Sequence, residues 1–343
     1  MRKTAVLLWV LALSCSCKRG DILPRDAWHD DVYEALSSVI SNAPRDSYAV
    51  FDFDNTTIIN DISMTLMEYM ADNMSFAFSP DDAFRAFTLY LPDLDIPLAG
   101  VGLSASQIGE SMSRDYEILY RKKVNGEDFR ESDSWARFKE SLFSLNDGIE
   151  NTFDYGTWCL WMPGLLLGMD KAQIKALTER SVDYWLEQGS LVIPKESVDL
   201  LRSLRKKGVK TYVCSASLEV IVEALACNPK YPLGFSEDEV FGIRLTDDPV
   251  PQFEASYPQT FLEGKVKCID RFMRVSHGGK NPILVAGDST GDLPMLTAFP
   301  GSLCLVYDCG RGGTMGEYIA KKLPGWVVQP RSEYTLFEDS VNR

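Results

Sequence analysis

Tyr48-Ala49-Val50-Phe51-Asp52-Phe53-Asp54-Asn55-Thr56-Thr57 is an apolar run that stops in acid. Residues 48–53 are rich in aromatic and β-branched side chains, the composition of a strand covered on both faces. Two carboxylates at its carboxyl end are costly unless something offsets their charge. No Lys or Arg stands nearby in the sequence. In open α/β sheets, ligands bind at the carboxyl ends of strands. Paired carboxylates there point to a divalent cation, with Mg²⁺ the usual hard-acid choice.

Outward from this run the chain alternates. A helix is expected over Asp26 to Asn42, ahead of the strand. After the strand, helical signals fill residues 62–189: 65–70, Pro80 to Leu91, Gln107 to Lys122, Asp133 to Leu145 and Asp170 to Leu186. Ser79-Pro80-Asp81-Asp82 reads as a helix start, with Ser as N-cap and Pro in the first turn. Strand and helix then alternate again. Strands are expected over Val209 to Cys214, Glu239 to Leu245, Pro282 to Ala286 and Ser302 to Tyr307. Helices are expected over Lys195 to Lys207, Glu219 to Ala226 and Gly264 to Arg274. This pattern predicts an α/β fold, a Rossmann-like parallel sheet with helices on both faces. The helical block between the first and second strands reads as an inserted cap. The expected division is a core of residues 21–61 and 190–343 and a cap of 62–189.

The chain has 343 residues, 45% hydrophobic, with net charge −14 and only two histidines. That acidity excludes a nucleic-acid binder, which needs a basic face. His29 and His277 are isolated, which leaves nothing for histidine-based zinc chemistry. Residues 1–17 read as an export leader: Arg2 and Lys3, then the apolar run Ala5 to Leu13, too short to span a bilayer. Leu13-Ser14-Cys15-Ser16-Cys17 follows and resembles a bacterial lipoprotein cleavage site. Cys15 is the expected lipidation site and Cys17 the alternative; an ordinary cleaved signal peptide or an uncleaved anchor is also open. The expected location is the cell envelope, with membrane attachment only through the lipid anchor. Six cysteines follow the leader with no CxxC spacing, so no disulfide is assigned.

Three strand ends carry chemistry: Asp52 and Asp54, Ser215, and Asp288 and Asp292 within Gly287-Asp288-Ser289-Thr290-Gly291-Asp292. Lys265 opens the helix before the last of them. Together they hold what phosphoryl transfer needs: a carboxylate to attack phosphorus, a second to move a proton, a hydroxyl and an ammonium for phosphate oxygens, and further carboxylates for Mg²⁺.

At these residues the chain resembles the haloacid dehalogenase-like phosphatase superfamily, whose motifs are DxDxT, a strand ending in Ser or Thr, a Lys, and an acidic GDxxxD. The resemblance implies Asp52 as nucleophile and Asp54 as general acid and base. It implies Ser215 and Lys265 as phosphate ligands, with Lys267 the alternative lysine. It implies metal binding by Asp52, Asp288 and the Asp54 backbone carbonyl, supported by Asp292. Within the superfamily the chain is most similar to bacterial phosphorylcholine phosphatases, with phosphoserine phosphatase-like enzymes next. Asn55, Ser215-Ala216-Ser217, Asn228-Pro229-Lys230-Tyr231 and residues 282–288 carry that similarity. One stretch departs from it. That family has aromatic and acidic residues for the substrate amine just after the first motif, whereas residues 57–64 here contain only Asp61. An amine cage must then come from cap residues, the candidates being Tyr69, Tyr116, Tyr120, Trp135, Tyr155, Trp158, Trp161 and Trp185. The expected function is Mg²⁺-dependent hydrolysis of a small phosphomonoester such as phosphocholine or phosphoethanolamine. The alternatives are a broad-specificity or phosphoserine-type envelope phosphatase, and a ligand-binding surface lipoprotein on an inactive scaffold.

Overall fold

The computed structural model describes residues 22–246, 248, 250 and 252–337. The leader and Cys15 lie outside the described residues. Helix α1 (Asp30–Ser41) precedes β1 (Tyr48–Phe51). Seven helices separate it from the next strand, of which the first six are α2 (Ile62–Asn73), α3 (Ala83–Thr88), α4 (Ala105–Val124), α5 (Asp133–Thr152), α6 (Tyr155–Trp161) and α7 (Lys171–Gln188). Then come α8 (Lys195–Lys206), β2 (Lys210–Leu218), α9 (Glu219–Ala226), β3 (Val240–Ile243), α10 (Glu263–Cys268), β4 (Leu284–Gly287), α11 (Leu293–Ala298), β5 (Leu303–Asp308), α12 (Gly313–Ala320) and β6 (Trp326–Pro330).

All six strands are parallel, in the order β3-β2-β1-β4-β5-β6. The chain builds β1, β2 and β3 in one direction. It then crosses back to lay β4, β5 and β6 on the other side of β1. The reversal falls between β1 and β4, and such a switch point opens a crevice at the carboxyl ends of its two strands. Asp52 follows β1 and Asp288 follows β4, so the topology alone puts them side by side.

The strands alternate faces with period two. Ala49 and Phe51 pack with α1, the helical insertion, α8 and α9, whereas Tyr48 and Val50 pack with the opposite layer around Cys268, Ile269, Met273, Met295 and Met315. The other central strands divide in the same way, which is why they read as continuous apolar runs. The helices of the insertion carry regular caps: Asp61 on α2, Ser104 with Gln107 on α4, and Asp170 with Gln173 on α7, the last ending on left-handed Gly189.

Several elements differ from expectation. The reading around Ser79 gives only a short 3₁₀ turn (Pro80–Asp82) before the six-residue α3. Helix α5 runs seven residues further than expected, to Thr152. The segment 269–274 leaves α-geometry for a π-helical turn. Helices α6 and α12 and strand β6 were not expected. They are short, and β6 is an edge strand, mostly half-buried and ending in Pro330. Among the described residues no helix is long and apolar enough to cross a membrane. The six cysteines among the described residues are free thiols.

Candidate active site

The β1 ladder runs one residue past the strand, the Asp52 N–H donating to the Ala286 carbonyl at 2.9 Å. The chain then folds back on itself. The N–H groups of Thr57 and Ile58 donate to the Phe53 carbonyl, and the Thr57 hydroxyl donates to the Asp52 carbonyl at 2.7 Å. Asn55 takes a left-handed conformation, φ 54°, and its side-chain oxygen accepts from the Asn60 N–H. Asn is among the few residues that adopt this conformation at low cost, which accounts for Asn after the second Asp. The turn delivers Asp52 and Asp54 to one cavity on two sides of the same loop.

Lys265 is 1% exposed. Its Nζ stands 2.5 Å from Oδ1 of Asp52 and 2.5 Å from Oδ1 of Asp292. Lys267 is exposed, so Lys265 is the lysine of the site. The other Asp292 oxygen accepts the N–H groups of Asp288 (3.1 Å) and Ser289 (3.0 Å) and the Ser289 hydroxyl. Gly287 makes room for this contact, because a Cβ there would lie 2.6 Å from the Asp292 Cβ. Asp288 meets the Thr56 hydroxyl at 3.4 Å, the Cys309 thiol at 3.5 Å and the Arg311 guanidinium at 3.6 Å.

One carboxylate oxygen from each of Asp52, Asp288 and Asp292 lies within 4.8 Å of the others, and all three residues are buried. Hard oxygen donors in this number suit a divalent cation. Their electrostatics agree. Burial raises the Asp52 carboxyl to about 7, with Asp292 repelling in the same direction and Lys265 opposing. Burial and then Asp292 and Asp52 push Asp288 well up. One buried ammonium does not balance three buried carboxylates, so the protein alone leaves room for further positive charge. The Asp54 side chain is outside this triad. Its Oδ1 accepts the Ile62 N–H at 2.7 Å and its Oδ2 accepts the Ser217 hydroxyl at 2.6 Å. Burial, then Asp61 and Asp52, hold its carboxyl well above the ordinary range. A carboxyl shifted upward in this way is suited to act as an acid.

Ser215 is fully buried, and its Oγ accepts the Ser217 N–H at 3.0 Å. The residues that face the cavity from this strand end are Ala216, Ser217 and Leu218. Ser217 was not singled out from the sequence as a site residue. Its signal was present in Ser215-Ala216-Ser217, where period two places both hydroxyls on one side of a regular strand. An irregularity in the β2–β3 register between Cys214 and Leu218 separates their surroundings.

The cavity measures about 450 Å³, within the roughly 300–1,000 Å³ usual for small-ligand sites. Asp52, Asp54, Lys265 and Asp288 line it from the sheet. Tyr155, Trp158, Cys159 and Trp161 line it from α6 and its end, and Asn146, Asp147 and Glu150 from α5. Of the eight aromatic candidates, Tyr155, Trp158 and Trp161 reach it. Tyr116 instead belongs to a packed ring cluster with Phe76, Phe78, Phe87 and Phe138. Trp185 donates to the Thr65 carbonyl, and Trp135 lies beside Lys139. Helix α6 touches the sheet's loops closely. A Cβ on Gly291 would lie 2.6 Å from the Tyr155 hydroxyl.

Solved structures exist that are similar to this chain. A protein of unknown function from Anaerococcus prevotii superposes with a TM-score of 0.78 at 23% identity, over 89% of this chain and 94% of that one. A HAD family hydrolase from Salmonella enterica serovar Typhi matches with a TM-score of 0.44 at 15% identity, over 92% and 81%. No curated protein matches the sequence. The model of the haloacid dehalogenase-like hydrolases matches residues 49–297, from the first strand through the acidic turn of Asp288 and Asp292. The chain belongs to the haloacid dehalogenase-like hydrolase family.

Proposed function

We propose that the protein is a phosphomonoesterase that works through an aspartyl-phosphate on Asp52. The observation that carries this reading is the pairing, at one cavity, of two buried carboxyl groups with different partners. Asp52 is held against the buried ammonium of Lys265, and Asp54, two residues on, has its carboxyl raised by burial and meets the Ile62 N–H and the Ser217 hydroxyl instead. A carboxylate oxygen of Asp52 attacks phosphorus as the bond to the ester oxygen breaks. Asp54 gives its proton to the departing oxygen. It then takes a proton from the water that attacks phosphorus, which releases phosphate and restores Asp52. Lys265 offers charge to Asp52 and to the phosphoryl oxygens, and Ser215 is the second proposed phosphate ligand. Asp52 and Asp288, the Asp54 carbonyl and the supporting Asp292 would hold the cation, for which Mg²⁺ is the proposed ion. A divalent ion there supplies charge neutralisation for the in-line displacement.

The proposed substrate is a small phosphate ester with a cationic head, such as phosphocholine or phosphoethanolamine. Besides Asp52 and Asp288 of the triad, the cavity is lined by Asp61, Asp147 and Glu150 and by Tyr155 and Trp158. Burial raises the carboxyls of Asp61 and Glu150, and Asp147 and Asp61 repel Glu150 further. Acidic and aromatic groups together favour a bound ammonium. Arg311 at the same wall favours a second reading, an ester that also carries a carboxylate, such as phosphoserine.

The test is turnover of p-nitrophenyl phosphate, phosphocholine, phosphoethanolamine and phosphoserine with Mg²⁺ and with chelator. We expect Mg²⁺-dependent hydrolysis, abolished in Asp52→Asn. In Glu150→Gln the KM for phosphocholine should rise about tenfold, as loss of one partly buried charge pair of 1–2 kcal/mol requires, while p-nitrophenyl phosphate is little affected. No turnover of any ester by the wild type ends the phosphatase reading, and a preference for phosphoserine over phosphocholine and phosphoethanolamine replaces the first substrate reading by the second. We also propose export with a lipid anchor at Cys15, which loss of a palmitate label in Cys15→Ser would support.

A further inference from the structure

We infer that Ser217 is a positioning residue for the acid Asp54, and that Ser63 at the start of α2 completes the hold. The inference rests on the phosphatase reading above and concerns how its proton donor is aimed.

Asp54 stands on a turn, and a carboxyl on a turn is free to rotate about its terminal torsion unless both oxygens are tied. Both are tied here. The Ile62 N–H donates to Oδ1 at 2.7 Å. A main-chain N–H only donates, so that oxygen remains an acceptor in either protonation state. The Ser217 hydroxyl donates to Oδ2 at 2.6 Å and accepts the Ser63 hydroxyl at 3.0 Å. A hydroxyl can donate and accept at once, so Ser217 ties Oδ2 to the start of α2. The three groups form a chain with one direction, Ser63 to Ser217 to Asp54, and hydrogen bonds in such a chain strengthen one another. Asp54 and Ser217 both line the cavity, so the carboxyl plane that Ser217 sets is the plane presented to the leaving oxygen.

The hold also has a place in the fold. Ser217 comes from β2 of the sheet, whereas Ile62 and Ser63 are the first two residues of α2, where the chain enters the helical insertion. The two ties on Asp54 thus come from two different elements, the end of β2 and the start of α2. The acid is aimed fully only when the start of α2 and the end of β2 stand in this arrangement.

The test compares kcat/KM, which covers the steps through departure of the alcohol, on an alkyl ester and on p-nitrophenyl phosphate. An alkoxide needs a proton to leave, whereas p-nitrophenolate departs as the anion. For Ser217→Ala, kcat/KM on the alkyl ester should fall about 10- to 100-fold, part of the 10²–10⁴ that a placed acid contributes. On p-nitrophenyl phosphate the fall should be a few-fold. Ser217→Thr keeps the hydroxyl and should restore the alkyl ester, and Ser63→Ala should show the same selectivity to a smaller degree. Equal losses on both esters, or failure of the Thr variant to recover the alkyl ester while its melting temperature matches the wild type, overturn the role of Ser217. If the wild type turns over neither ester, the phosphatase reading falls and this inference with it. If the wild type is active and Asp54→Asn also shows no ester selectivity, the acid is misassigned and the inference fails for that separate reason.

Discussion

Replacing Lys265 by Met should destabilise the metal-free protein and at the same time increase its response to divalent cation. Lys265 is the buried ammonium between Asp52 and Asp292, 2.5 Å from each. Without it the triad of Asp52, Asp288 and Asp292 keeps its carboxylates and loses this counter-charge. At the 4.8 Å limit of their separation, two like charges repel by about 3 kcal/mol at an effective dielectric constant of about 20. Removing one partner of a buried pair typically costs about 3–5 kcal/mol. At about 2 °C per kcal/mol for a chain of this size, the melting temperature with chelator should fall by about 6–10 °C. Mg²⁺ should then raise it by more in Lys265→Met than in the wild type, because the cation meets a site with one positive charge fewer. Turnover should be lost in both conditions. The deficit with chelator should shrink toward pH 5, where the carboxyls take up protons in place of the missing ammonium. Thermal melts in chelator and in Mg²⁺ measure all of this. A melting temperature within about 1 °C of the wild type in chelator, or an equal Mg²⁺ response in the two proteins, would refute this account of the triad.

The metal-free wild type should itself lose stability as pH rises. Asp52, with an unfolded value near 4, is raised to about 7 in the fold, and Asp288 moves in the same direction. The native state then binds more protons than the unfolded chain between these values, so its stability is fullest below about pH 4 for these groups and declines through pH 7. Melts in chelator at pH 5.5 and 7.5 should show the decline and Mg²⁺ should reverse it; a flat profile contradicts the burial effect. Gly291→Ala should cost about 1–3 kcal/mol of overpacking, since its methyl group would lie 2.6 Å from the Tyr155 hydroxyl. A melting temperature lowered by several degrees is expected, and an unchanged one would mean that Tyr155 yields freely.

Much of this was open to reading along the chain. Strand β1 and the strands ahead of Ser215 and Asp288 declare themselves because they are buried on both faces, and continuous apolar runs are a local signal. The acidic ends stand out for the same reason, since carboxylates closing such runs are costly unless compensated. Helix α6 was not legible. It has seven residues, too few for periodicity to register, although its N-cap Asp154 accepts the Thr157 N–H. Consequently Tyr155, Trp158 and Trp161 could not be told from Tyr116, which resembles them in composition and lies in the packed interior of the insertion. Strand β6 was missed because an edge strand lies half in solvent and loses the continuous apolar pattern.

Along the chain the candidate groups are already legible: Asp52, Asp54, Asp288 and Asp292 just past apolar strands, and Lys265 at the start of a helix. Tertiary structure decided their states. Lys265 is 213 residues from Asp52 and 27 from Asp292 along the chain, yet touches both. Whether a carboxyl is a nucleophile, an acid or a support depends on burial and on charges a few ångströms away, and neither is a property of sequence spacing. The same holds for Ser217, whose hydroxyl meets Asp54 only because β2 and the start of α2 close on one cavity.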